Sequence, residues 1–334
     1  MLFLASLMGV VLVGASAFVG LTLPSDDEDE APEPTGTGSG STGNLLDLVT
    51  GDAGVIDSGA SGDDLLTGTD GPDQIGGRAG ADTLSGGAGD DWIHGGSGAD
   101  LLSGAAGEDR IDADSGDDAV YGGSGDDSLF GHMGQDLLSG GLGQDVMHGG
   151  AGADYLQGGS GDDALHGGLD DDRLEGGSGE DTLFGSSGDD WVSGFQARFA
   201  TSDVAPASGD DAVQPDGRDY LNGGAGSDTL FGDSSDVLTL GDGADTVVLG
   251  SWIGSGDSAA DVTDFIQGED QLILVYDDAE TGTPEVTISR ETDAVRIALN
   301  DVVVATLPAG TPIAMSDIAV MPEQAAAGSF GPPV

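Results

Sequence analysis

Between Gly59 and Ser193 apolar and polar positions recur with a period of nine, without insertion or deletion, across fifteen units. The unit that begins at Gly95 reads Gly-Gly-Ser-Gly-Ala-Asp-Leu-Leu-Ser, and places are counted from that first glycine. The eighth place is aliphatic or methionine in every unit, from Leu66 and Ile75 through Met147 to Val192. Because side chains alternate across a strand, the seventh to ninth places predict a short strand pointing out, in, out. Glycine at the first and fourth places, interrupted only by Ala113 and Asp170, supplies the freedom that a tight turn needs. The expected local structure alternates turn and strand, with one inward apolar residue per unit.

The sixth place is aspartate throughout: Asp64, Asp73, Asp82, Asp91, Asp100, Asp109, Asp118, Asp127, Asp136, Asp145, Asp154, Asp163, Asp172, Asp181 and Asp190. After Ser193 the period breaks, and residues 194–205 read as a loop or a substituted coil. It returns imperfectly around Asp211, Asp219 and Asp228, which keep the sixth-place identity, and more loosely at Asp236 and Asp245. Runs rich in β-formers follow at residues 246–249, 262–266 and 271–276. Residues 285–289, 294–299 and 302–307 predict an antiparallel meander, with Asn300 and Asp301 as a tight turn. Residues 316–321 are expected to form one terminal turn of helix, and residues 325–334 to fray.

At the amino end, residues 1–23 are uncharged and largely apolar, long enough as a helix to span a bilayer. They read as a transmembrane anchor or a signal segment: Ala15-Ser16-Ala17 fits a cleavage pattern, but no Lys or Arg precedes Arg78. Residues 24–43, acidic and then rich in Gly, Ser and Pro, read as a linker. Residues 44–58 read as an N-terminal cap, which a stack of strands needs to cover its open end. The remaining divisions are the repeats at 59–193, a loop with imperfect repeats at 194–249, a β-rich cap at 250–324 and a tail at 325–334.

Charge makes this pattern hard to fold unaided. The chain carries a formal net charge of -55, and its fifteen units hold 29 Asp and Glu against Arg78, Arg110 and Arg173. One buried apolar side chain per nine residues does not offset the entropy of ordering nine backbones, and closing the stack forces like charges together. A hard divalent cation held by carboxylate and carbonyl oxygens removes both objections, and calcium accepts irregular oxygen shells more readily than magnesium. The same charge makes nucleic acid and anionic membrane surfaces poor partners. Cysteine is absent, so neither a disulfide nor thiol chemistry contributes.

The nonapeptide resembles the repeats-in-toxin (haemolysin-type) calcium-binding repeat. The resemblance implies an all-β fold, a right-handed parallel β-roll in which two nonapeptides make one coil, closed by the β-rich carboxyl-terminal cap. Residues 1–23 would add an amino-terminal apolar helix. It also implies calcium ions between the turns of units n and n+2. The carboxylate ligands would be the fifteen aspartates named above together with Asp211, Asp219 and Asp228, and turn carbonyls would complete each shell. Asp261-Val262-Thr263-Asp264-Phe265 and the following Gly268–Leu274 look like the segment that closes such rolls in secreted members, whose carboxyl-terminal region carries a type I secretion signal.

His94, His148 and His166 share the ninth place, and the eighteen-residue spacing of the last two stacks them on adjacent coils. They read as a solvated stripe or a transition-metal pair; His132, at a second place, reads as a turn substitution. No His-Glu-x-x-His helix and no Gly-x-Ser-x-Gly elbow occurs, and every histidine lies inside the repeats. The expected protein is non-enzymatic, exported, and folded by calcium, with a cell-surface or matrix association. The alternative is a secreted polysaccharide-acting enzyme or adhesin that uses the roll for secretion and folding.

Overall fold

Between the first and last of the fifteen, each repeat forms a longer strand than its single apolar residue suggests. Gln74–Ala79, Thr83–Ala88, Trp92–Ser97 and Leu101–Ala106 each start at a seventh place and run through the third place of the next unit. Along Thr83–Ala88 the eighth-place Leu84 and the first-place Gly86 are both buried. The first three places, expected as turn, thus continue the strand, and only places four to six turn. Positive φ falls at the second and fourth places, as at Gly96 (113°) and Gly98 (132°). Arg78, Ala105, Asp114 and His132 accept φ of 83°, 83°, 77° and 76° at the second place, a conformation that costs a non-glycine residue about 1–2 kcal/mol.

The structure, a computed structural model, describes Gly54 and residues 56–195, 217–250, 252–253, 258–277 and 284–330. All of them lie within the compact unit Ser41–Val334. As far as Gln271–Tyr276, successive strands alternate between a fourteen-stranded and a twelve-stranded sheet. Repeat-strand neighbours within a sheet are parallel and two units apart: Met147 pairs with Leu165 in the larger sheet, Leu138 with Leu156 in the smaller. The chain therefore winds as a parallel β-solenoid. Ile93, Ile111, Leu129, Met147, Leu165 and Leu183 stack down the inside of one sheet, facing Leu102, Val120, Leu138, Leu156, Leu174 and Val192 of the other. One apolar residue per unit suffices for two continuous rows because each packs on its counterpart in the next coil.

The winding survives the break in the sequence period. Residues 196–216 lie outside the described residues, yet Leu183 pairs with Leu221 and Trp191 with Thr229 in the register of the regular coils. On the outer face of the smaller sheet Arg173 lies over the Trp191 ring, 3.7 Å from its centroid, and pairs with the buried Glu175.

The carboxyl-terminal meander consists of Val286–Arg290, Ala294–Leu299 and Val302–Pro308, antiparallel to one another. Its last strand lies parallel to Ala260–Val262 and so joins the larger sheet. Asn300 and Asp301, with φ of 50° and 67°, make its tight turn. Two expectations near the terminus are corrected. Residues 316–321 do not form a turn of α-helix: a short 3-10 turn, Met315–Asp317, leads into strand Ile318–Pro322, which pairs with Gln271–Tyr276. That pairing covers the main-chain edge of the smaller sheet, a stronger demand than local helix propensity. Nor do residues 325–330 fray, because helix Glu323–Ser329 buries Ala326 in a cluster with Phe231, Val248, Ile273 and Val275. The segments 1–23 and 24–43 lie outside the described residues, and among the described residues no helix is long and apolar enough to cross a membrane.

Candidate metal centres

The turns line up along the two edges where the sheets meet, and the sixth-place aspartates form one hydrogen-bonded ladder along each edge. In both ladders Oδ1 of an aspartate accepts the main-chain N–H of the aspartate one coil earlier. One ladder runs through Asp73, Asp91, Asp109, Asp127, Asp145, Asp163, Asp181, Asp219 and Asp236, with N···O distances of 2.8–3.0 Å. The other runs through Asp64, Asp82, Asp100, Asp118, Asp136, Asp154, Asp172, Asp190, Asp228, Asp245 and Asp270, with distances of 2.7–3.2 Å. From Asp73 onward these carboxylates are buried.

The second oxygen of each interior carboxylate is the feature that needs explanation. Oδ2 of Asp82, Asp91, Asp100, Asp109, Asp118, Asp127, Asp136, Asp145, Asp154, Asp163, Asp172, Asp181, Asp190, Asp228 and Asp245 is buried and accepts no hydrogen bond. A buried charged oxygen without a partner costs several kcal/mol as an order of magnitude, and here the cost repeats along both edges. Glycine at the first place makes room for it. A Cβ built on Gly77 would lie 2.2 Å from Asp82 Oδ2 and 2.7 Å from the Gly95 carbonyl oxygen of the next coil. The same pair of oxygens recurs at Gly149, 2.3 Å from Asp154 Oδ2 and 2.8 Å from the Gly167 carbonyl.

Electrostatics points the same way. Burial, opposed by the Oδ1 hydrogen bond and reinforced by neighbouring carboxylates, pushes Asp118, Asp127 and Asp154 up to about 7 and Asp163 and Asp172 up to about 8. A cation against Oδ2 would reverse that shift and supply the missing partner. Carboxylate and carbonyl oxygens are the donors a hard ion such as calcium takes. Among the described residues no three His, Cys, Asp or Glu side chains converge on one point, so main-chain carbonyls must supply most of any shell. The residues present fit calcium on those terms.

Of the eighteen aspartates expected from the sequence, seventeen stand in the ladders; Asp211 lies outside the described residues. The ladder passes from Asp181 directly to Asp219 and from Asp190 to Asp228, thirty-eight residues on in each case. Asp236 and Asp245, which the loosened spacing leaves less secure, are full members, and Asp270 closes the second ladder. Asp270 carries no repeat signature, and the only hint in the chain is its place before the β-rich run at Gln271.

A second row of carboxylates flanks the first. At the fifth place, Asp63, Asp90, Asp117, Asp126, Asp162 and Asp171 accept the N–H of the fifth-place residue one coil later, at 2.8–3.1 Å. The histidines lie on the outer face of the larger sheet. His148 pairs in register with His166, their ring centroids 5.5 Å apart, between Phe130 and Phe184. Burial, then the neighbouring His166 and His132, lowers the His148 pKa. His94 pairs with Asp114 at 2.8 Å. His132 stands on a strand, not in a turn.

Comparison with known proteins bears on the ladders directly. The family model for the RTX calcium-binding nonapeptide repeat matches residues 58–93, 76–111, 85–120, 112–147, 139–174, 166–194 and 232–251. No curated protein sequence matches the chain. Among solved structures, the extracellular lipase LipA from Serratia marcescens aligns at 16% identity over 70% of this chain and 40% of the lipase, with a TM-score of 0.24. This chain thus spans well under half of that enzyme, and the superposition carries no argument about activity. Most of both carboxylate ladders is built from the matched repeats, and over residues 58–194 and 232–251 the chain consists of RTX calcium-binding nonapeptide repeats.

Proposed function

We propose that the protein is an exported, non-enzymatic calcium-binding protein whose β-solenoid folds when calcium enters the two carboxylate ladders. The observation that carries this reading is the row of buried, partnerless Oδ2 atoms, many of them beside a carbonyl oxygen of the next coil. Interior sixth-place aspartates are the carboxylate ligands, several ions bind per chain, and metal binding is folding free energy. The charge of -55 keeps the metal-free chain expanded where calcium is scarce, and millimolar calcium outside the cell compacts it. An open polar cavity of about 680 Å³ lies beside Arg218 and Arg296. Its arginines already face Asp261, Glu291 and Asp293, which supports a structural role there over a catalytic one. The compact, polyanionic solenoid serves at the cell surface or in an extracellular matrix.

Circular dichroism and small-angle scattering with and without millimolar calcium test the proposal. The expected result is β-structure and a small radius only with calcium. Identical spectra and radii in the two states would overturn it. Fractionation of cells, with calcium-dependent adhesion and polysaccharide turnover assayed in parallel, separates the surface role from an enzymatic one.

A further inference from the structure

The carboxylates at the ends of the ladders differ from those inside. Asp64 Oδ2 accepts the Ala60 N–H at 2.6 Å, and Asp73 Oδ2 accepts the Thr69 N–H at 2.5 Å, with Thr69 Oγ1 a further 3.2 Å contact. At the opposite ends, Asp236 Oδ2 accepts the Asp233 N–H and Asp270 Oδ2 the Ile266 N–H, each at 2.6 Å. Two ladders have four ends, and at all four a main-chain N–H from within the preceding four residues occupies the oxygen that interior carboxylates leave without a protein partner.

At the amino end the difference coincides with the backbone. The second place has positive φ at Arg78, Gly87 and Gly96, but Ala60 and Thr69, at the same place, do not. Their N–H groups instead reach the carboxylate. At the carboxyl end the donors come from the irregular segments that follow the repeats, around Asp233 and Ile266.

An oxygen that holds an N–H hydrogen in line with its lone pair presents a positive pole where a cation would have to sit. The N–H takes one of the two lone pairs of that oxygen and disfavours a cation beside it. A carboxylate satisfied by hydrogen bonds also lacks the unmet charge that draws an ion into the interior sites. We propose that Asp64, Asp73, Asp236 and Asp270 are metal-free closures, and that calcium is confined to the sites between them, which include Asp91–Asp181 on one edge and Asp82–Asp245 on the other. The inference rests on the calcium-binding reading above. It adds Asp245 to the metal array and removes Asp64 and Asp73, although both carry the repeat signature in full. Such closures let the array end without leaving a half-built, partly hydrated site at either face of the solenoid.

Native mass spectrometry of the full chain at saturating calcium counts the ions, and scattering on the same samples reports compaction. Asp73→Asn and Asp91→Asn are neighbours on one edge, one coil apart. The first is expected to keep the wild-type ion count and the second to lose at least one ion per chain. Asp270→Asn and Asp245→Asn provide the same comparison at the other end, and stand in if Asp91→Asn does not compact. Loss of an ion from compact Asp73→Asn or Asp270→Asn, or an unchanged count in Asp245→Asn, overturns the inference. A wild-type chain that binds no calcium overturns the underlying reading instead, so the two failures are distinct.

Discussion

Acid should do for the metal-free chain what calcium is proposed to do at neutral pH. Desolvation, with like-charge neighbours adding to it, holds Asp91, Asp145, Asp181 and Asp190 at about 6 and Asp118, Asp127, Asp154 and Asp228 at about 7. Burial holds Asp163 and Asp172 at about 8 and Asp236 and Asp245 at about 6, against 3.8 for an ordinary aspartate. The folded solenoid keeps these protons while the unfolded chain has released them. Their contribution to stability is therefore complete below the unfolded value of 3.8 and is lost as pH rises through the folded values of about 6 to 8. Near pH 5 compaction should take up on the order of ten protons from these groups. The readout is large: a chain of this length has a radius of gyration of about 65 Å unfolded and about 20 Å compact. Scattering of a chelated sample should give a value near the upper figure at pH 8 and near the lower at pH 5, so that calcium has a large effect at pH 8 and a small one at pH 5. A chelated chain that is compact at pH 8 and expands on acidification would reverse the sign and refute the argument.

Further outcomes follow from particular contacts. Leu156→Ala opens a cavity at a fully buried position between Leu138 and Leu174 and should cost about 2–5 kcal/mol, read as a lower melting temperature at saturating calcium. The exposed Leu142 serves as control, and Leu142→Ala should stay within about 0.5 kcal/mol. Arg173→Ala leaves the buried Glu175 without its cation, a loss of about 3–5 kcal/mol that the added change Glu175→Gln should largely restore. Because the ladders pass straight from Asp181 to Asp219, a chain shortened within 196–216 to restore the nine-residue spacing should compact at the same calcium concentration as the parent, checked by circular dichroism. At the meander turn, where Asp301 has a φ of 67°, Asp301→Gly should be neutral and Asp301→Val should destabilise by about 1–2 kcal/mol in thermal unfolding.

Much of the solenoid can be read from one unit. A nine-residue period with one inward apolar place yields two rows such as Leu129–Met147–Leu165 and Leu138–Leu156–Leu174, and the invariant sixth-place aspartate marks the ladder. The extent of the strand cannot be read the same way. Glycine at the first place looks like a turn residue, but Gly77 is there for the room that Asp82 Oδ2 and the Gly95 carbonyl need, and the turn freedom belongs to the second and fourth places.

The sequence by itself determined the repeating unit, the inward apolar row and the carboxylate that every coil brings to the edge, because these depend on residues within nine of one another. The tertiary structure alone decided which carboxylates keep an unmet oxygen and which are closed by an N–H, since that depends on what the adjacent coil, or its absence, offers. It also made Asp236 and Asp245, only loosely marked in the sequence, full ladder members, brought in Asp270, and carried the register from Asp181 to Asp219. Those partners stand 17 to 38 residues apart, beyond the reach of any local pattern. They meet because parallel pairing stacks each turn on the one before it.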